Sequence, residues 1–313
     1  LVGSEMCIRD SINEDSSPDQ AIRQQIYRWV VRKNVVNRRV THQAQNTRHC
    51  ETIMKDWSRY VKKQISMLRI PDENVVNFDE TNVDYSVKAT TTLQTKGSPT
   101  VLVQEALSLQ RATVMLGVSR TGDTLTPYVI YKGSEKGRIV REFTNPEFSY
   151  PVGMKYAVQG RAWMDEERML DWVEKVWHPW TLTKCGMTYL ILDEFKAHMT
   201  TKVRAAIADS NTELEFVVGG YTSKLQVLDV GVNRPFKDEI RREYEKFMYQ
   251  HAIKNPGTPA GKPLRQDVAN WIWQSWNVIT RETIVNTWKK VLSIGEEPCE
   301  PIEQENDVLL GQE

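Results

Sequence analysis

Asp79, Asp193 and Asp229 are the residues of this 313-residue chain that could work together as metal-ligating chemistry. Asp79 falls on the polar face of a β-branched run, Asp193 ends the apolar run TYLILD, and Asp229 lies 36 positions further on, between a strand pattern and a helix pattern. Carboxylates gathered on one rim of a sheet suit hard cations such as Mg²⁺, which prefer oxygen ligands. Two such ions, roughly 3.5–4 Å apart, clamp the attacking and leaving oxygens of an in-line phosphoryl displacement. Without a cation, three close carboxylates repel and raise one another's pKa. Spacing alone leaves other readings open, because an Asp at a strand end is also a turn former or helix cap. Asp84 competes with Asp79, and Glu194 with Asp193. His198, five positions after Asp193, could orient water or phosphate, or be a hydrogen-bonded structural residue. Lys224 and Lys237 flank Asp229 and suit either a phosphate or plain surface.

The elements that must position these residues are legible as patterns. Residues 21–33 and 40–68 carry apolar residues at helical spacing (Ile22, Ile26, Trp29, Val30; Ile53, Trp57, Tyr60, Val61, Ile65). Pro71 breaks that pattern, and ENVVNFDETNVDYSV reads as a strand with Val76 and Phe78 on one face and Asn77, Asp79 and Thr81 on the other. Strands at 112–119 and 125–133 flank the turn Arg120–Thr121–Gly122–Asp123, a hairpin by turn chemistry. Residues 134–160 read as irregular. A helix follows through Met169, Leu170, Val173, Val176 and Trp177, with Pro179 expected to stop it. TYLILDEF is apolar on both faces, as a central strand should be. A helix at 200–210, a strand at 214–218, a helix opening near Pro235 and two more helices ending by Gly295 complete the order. That order predicts an α/β mixed sheet with helices on its faces.

Composition narrows the class. No run approaches the roughly 18 apolar residues of a membrane span. Cys7, Cys50, Cys185 and Cys299 show no CxxC spacing, which argues against a zinc site or a disulfide framework. The zero net charge hides an asymmetry: residues 21–70 hold twelve Lys/Arg, among them Arg38, Arg39, Lys62 and Lys63, against Glu51 and Asp56. A basic segment beside an acidic body suits a nucleic-acid arm or a solvated helix face. Trp172, Trp177, Trp271, Trp273, Trp276 and Trp288 fall in helix patterns, so core packing is expected of them rather than base stacking. The chain opens on Leu, and LVGSEMCIRDS looks like translated adapter, so residues 1–20 are set aside as a non-native or disordered leader. The acidic stretch 296–313 is expected to be a disordered tail.

VVNFDET, LILDEFKAH and TSKLQVLDVGVNRPFK resemble, in order and spacing, the three motif blocks of the pogo/Tigger group of mariner-like DDE transposases. TVMLGVSRTGDTLTPYVIYKG resembles the hairpin between the first two blocks, and WMDEERMLDWVEKVW the helix before the second. RRVTHQAQNT resembles the link from a helix-turn-helix region related to centromere protein B.

The resemblance implies an RNase H-like mixed β-sheet flanked by helices. It would be organised as a basic helical region (21–70), a catalytic domain (71–255) and C-terminal helices packed on it (256–295). It implies Asp79, Asp193 and Asp229 as catalytic metal ligands for two Mg²⁺ or Mn²⁺ ions. It also implies double-stranded DNA partners (terminal inverted repeats and target), a homodimer in the synaptic complex, a nuclear location and no membrane. The expected reaction is phosphodiester hydrolysis followed by strand transfer. Two departures stand out: Glu194 replaces the usual Asn after the second aspartate, and Val227 replaces Pro in Leu-Gln-Pro-Leu-Asp. Glu194 could add a ligand, point away or disturb the site. A domesticated, inactive DNA-binding protein is therefore the alternative.

Overall fold

The structure, a computed structural model, describes residues 47–86, 110–256, 258 and 261–294. All but Thr47 belong to one unit, Arg48–Glu313. The helix expected over 21–33, Arg38, Arg39, the leader and the acidic tail lie outside the described residues.

In chain order the elements are α1 (Thr47–Met67), β1 (Val75–Asp84), β2 (Arg111–Ser119), β3 (Tyr128–Lys132), α2 (Arg138–Glu142), β4 (Lys155–Gln159) and α3 (Glu166–Trp172). A π-helical turn at Val173–Trp177 joins α3 to α4 (His178–Thr181). Then come β5 (Thr188–Asp193), α5 (Thr201–Ala208), β6 (Thr212–Val217), α6 (Thr222–Leu225), a second π turn (Leu228–Val232), α7 (Asn233–Lys254), α8 (Arg265–Asn277) and α9 (Arg281–Leu292).

The six strands form one mixed sheet in the order β4-β3-β2-β1-β5-β6. β1, β2 and β3 are antiparallel neighbours, joined at β2–β3 by the turn around Gly122, whose φ of 95° favours glycine. β5 lies parallel to β1 and β6 parallel to β5, with α5 as the crossover. This is the mixed sheet that the element order predicted, in the RNase H-like form that the resemblance implied.

Alternation along the strands divides the core in two. Val75, Leu116 and Ile191 pack on one face with Trp57 and Val61 of α1, Phe236 and Ile240 of α7, Trp276 of α8 and Trp288 of α9. Val76, Phe78, Met115, Leu190 and Leu192 pack on the other with Met169 and Trp172 of α3, Trp177, and Val203 and Ile207 of α5. Trp172, Trp177, Trp276 and Trp288 are almost wholly buried, as their helical spacing predicted. Side chains cap the helices that frame the site: Asp165 accepts from the Arg168 amide at 2.9 Å at the start of α3, and Thr280 from the Thr283 amide at 3.2 Å at the start of α9.

Two local expectations are corrected. Residues 134–160 are not irregular: they hold α2 and β4, an edge strand in which only Val158 is fully buried, so it carries little alternating signal. Pro179 does not end the helix either. The wider i→i+5 ladder of residues 173–177 restarts the pattern ahead of it, so its missing N–H falls in the first turn of α4.

Candidate active site

β1 and β5 run side by side in the pairs Val75–Tyr189, Val76–Leu190 and Asn77–Ile191. β5 ends at Asp193, so this register carries Asp79 on β1 to the level of the last residue of β5. Both aspartates line one cleft of about 310 Å³, with Glu80, Asn82, Arg111, Thr113, Trp163, Met164 and Phe195. Asp229 comes from a third element, the π turn that opens into α7.

A pair of buried amides fixes that arrival. Asn77, fully buried on β1, donates to the Ile191 carbonyl at 3.2 Å and to Gln226 Oε1 at 3.0 Å, and its Oδ1 accepts from the Leu228 amide at 3.1 Å. Gln226 donates in return to the Phe78 carbonyl at 2.6 Å. Fully satisfied buried polar groups act as specific clasps, because leaving either amide unpaired there costs about 1–3 kcal/mol. Two side chains thus tie the residues just before Asp229 to the strand that carries Asp79.

Asn233, one turn beyond Asp229 on α7, closes the arrangement. Its Nδ2 lies 3.0 Å from Asp229 Oδ1 and 3.3 Å from Asp79 Oδ2, so one amide bridges two carboxylates. Its Oδ1 is buried without a hydrogen-bond partner among the described residues. Asp79 is only 8% exposed. Burial, then the charges of Asp229, Glu80 and Asp193, push its carboxyl well above the usual range. No Lys or Arg of the described residues pairs with Asp79 or Asp229.

Asp193 is held differently. His198 puts Nδ1 2.8 Å from Asp193 Oδ1 and Nε2 2.8 Å from Glu80 Oε1. Both ring nitrogens face carboxylate oxygens, so both donate and the ring is an imidazolium. Burial opposes that charge, but Glu80 and Asp193 outweigh it and push the His198 pKa up to about 10. One ligand atom each of Glu80, Asp193 and His198 falls within 4.8 Å of the others. The short bonds make this trio an ion-paired relay whose bonds use Asp193 Oδ1 and leave Oδ2 outside them.

The remaining candidates are spread out. Asp84 sits exposed at the far end of β1 and is not among the charges acting on Asp79. Glu194 reaches towards the end of β6, where its Oε2 accepts from the Gly219 amide at 3.2 Å. Val227 takes φ −57° and the preceding Gln226 is extended, the backbone that a Leu-Gln-Pro sequence would impose. Lys224 and Lys237 are exposed, with no ion-pair partner among the described residues. Lys62 and Lys63 lie on α1, which is anchored by Trp57 to the Phe216 carbonyl at 2.9 Å and by Ser58 to the Leu292 carbonyl at 2.6 Å. Glu80, Asn77, Gln226 and Asn233 are contributors that motif reading passed over. The signal that could have found them is polar residues inside otherwise apolar motif blocks.

The donor set suits a hard divalent cation: three carboxylates, two of them bridged by a neutral amide, with His198 beside them already paired and, among the described residues, no thiol in the cleft. The unrelieved repulsion at Asp79 is the feature such a cation would satisfy.

Comparison with known proteins follows the same line. Residues 109–288 match the profile of DDE superfamily endonucleases, a span that includes Asp193 and Asp229. The mouse (Mus musculus) protein named pogo transposable element with KRAB domain is 32% identical over 258 residues, covering 80% of this chain and 40% of the mouse protein. The chain therefore spans well under half of that relative. Among solved structures, the mariner Mos1 paired end complex with Mg superposes with a TM-score of 0.56 at 11% identity, over 94% of this chain and 75% of that one. The Mos1 strand transfer complex gives 0.52 at 11% identity, over 93% and 74%. At such identity the structural likeness speaks for the fold alone. The family match carries the assignment: this chain belongs to the DDE superfamily of endonucleases, and it is similar in sequence to a pogo transposable element protein.

Proposed function

We propose that the chain is the catalytic part of a DNA transposase, in which Asp79, Asp193 and Asp229 hold two Mg²⁺ or Mn²⁺ ions against the phosphodiester at a transposon end. The observation that carries this reading is the buried Asp79 carboxylate, set beside Asp229 and Asp193 with no cationic side chain of its own. When bound, the ions supply charge neutralisation at the phosphate and activation of the attacking hydroxyl. Asn233 sets the mutual orientation of Asp79 and Asp229. Asn77 and Gln226 hold the Asp229 turn against β1. His198 fixes Asp193 by one oxygen and screens it from Glu80. Such second-layer contacts set ligand geometry and commonly change metal affinity or activity about 10–100-fold when removed. Lys63, Lys224 and Lys237, which are exposed, and half-buried Lys62 suit phosphates of the DNA backbone; on this reading the protein works in the nucleus, on paired ends held by two copies.

The test is Mg²⁺- or Mn²⁺-dependent nicking of inverted-repeat DNA by the full-length protein. The parent should cut and Asp193→Ala should not; equal cutting by both would refute the mechanism. A second reading, a domesticated DNA-binding protein, draws on Glu194, whose carboxylate reaches Gly219. Calorimetric titration separates the two, because absence of heat at millimolar Mg²⁺ favours the non-catalytic protein.

A further inference from the structure

Trp163 is unlike the other tryptophans of the sheet and its helices. It is 51% exposed, whereas Trp172 and Trp177, in the helix just after it, are almost wholly buried. The loop that presents it is rigid. The Arg161 and Trp163 amides both donate to Gln159 Oε1, at 2.6 and 3.2 Å. Between them Ala162, fully buried, takes φ 57°, a left-handed conformation that costs a residue with a Cβ. The Ala162 carbonyl accepts from Thr113 Oγ1 at 2.6 Å, which pins the loop to β2. A backbone held in that state keeps an indole in solvent.

The surroundings of that indole are sorted by charge. On one side lies the cleft with Asp79 and Asp193, whose lining also includes exposed Phe195. On the other lies a second cleft of about 330 Å³ lined by Arg111, Lys132, Arg161 and Trp163. Arg111 and Trp163 line both, and the Arg111 guanidinium sits 5.9 Å from the Trp163 ring centre. Arg111, Lys132 and Arg161 are exposed and make no ion pair with any described residue. A row of free cations ending at an exposed aromatic plane is the pattern by which proteins hold unpaired nucleotides: charge follows the backbone and the ring receives a base.

We propose that Trp163 and Arg111 form a stacking subsite for one unpaired DNA base beside the carboxylate cleft, with Lys132 and Arg161 meeting the phosphates that flank it. This rests on the nuclease reading only for its placement beside the cut bond. The base stacks on the indole, and the strand then passes from the basic cleft towards Asp79 and Asp193. Fully paired DNA, whose bases are already stacked, gains nothing from the ring.

The test is binding in metal-free buffer, so that no cutting is needed. Two oligonucleotides of the same sequence are compared, one fully paired and one with a single unpaired nucleotide carrying 2-aminopurine. The full chain should prefer the second, and Trp163→Ala should weaken that binding about tenfold while changing paired binding less than about twofold. Trp163→Phe should retain most of the preference, and Arg111→Ala should lose part of it. Binding of the unpaired probe by Trp163→Ala as tightly as by the parent, or an equal loss on both probes, would overturn the subsite. Should Trp163→Ala fail to fold, Arg111→Ala and Trp163→Phe decide, and unchanged preference in Arg111→Ala counts against the subsite. A preference without Mg²⁺-dependent cutting would keep the subsite and sink the nuclease. Cutting that is indifferent to Trp163, with no preference, would do the reverse.

Discussion

The two halves of the carboxylate site are held in opposite ways. On the Asp193 side, an imidazolium stands between two acids and bonds to both, offsetting one of their two charges from within the protein. On the Asp79–Asp229 side, only a neutral amide bridges the pair, and the repulsion is left in place. The difference teaches where an external cation has work to do. A carboxylate bonded to the fold's own cation is partly relieved already, whereas buried Asp79, set among like charges, has the most to gain from a bound cation.

The largest way to break this contrast is at the unrelieved pair. Asp79→Asn should lower Mg²⁺-dependent cutting by roughly 10³-fold, the scale of several kcal/mol of transition-state charge stabilisation, as read from single-turnover nicking. Next is the relay. His198→Gln leaves Glu80 and Asp193 facing each other without a cation and should cost about 3 kcal/mol of stability in denaturant unfolding. Adding Glu80→Gln should recover part of that loss, and no recovery would mean the histidine acts by packing alone. Asn233→Ala is milder: divalent binding should weaken about tenfold by calorimetry, with folding little changed because the loss of two donor bonds is offset by removal of a buried, unpartnered Oδ1. The smallest effect is Val227→Pro, at a residue whose φ is already −57° and whose predecessor is extended. It should stabilise by about 0.5 kcal/mol through the unfolded chain, and destabilisation would show that the Val227 side chain matters more than its backbone.

Much of this frame was legible in the sequence. β1, β5 and α7 carry readable patterns, and the motif blocks set Asp79 within β1, Asp193 at the end of β5 and Asp229 just ahead of α7. β4 was hidden because an edge strand with one fully buried residue has almost no pattern to read. The clasps were hidden for another reason. Asn77 and Gln226 lie 149 positions apart, and Glu80 and His198 lie 118 apart. A buried amide or histidine looks like a flaw in an apolar run until its partner is known. Trp163 shared the helical tryptophans' composition but not their spacing, and only the backbone at Ala162 reveals that it faces out.

The central claim is that Asp79 is strained by like charge in the metal-free fold and relieved by a divalent cation. Burial and its neighbours favour the neutral acid, so the ionised side chain costs stability at neutral pH. Thermal unfolding of the parent and Asp79→Asn, each with and without millimolar Mn²⁺, reads this directly. The order should cross: Asp79→Asn melts higher without metal, and the parent melts higher once metal is added. A parent whose melting temperature ignores Mn²⁺, and which already melts above Asp79→Asn without it, would contradict the account.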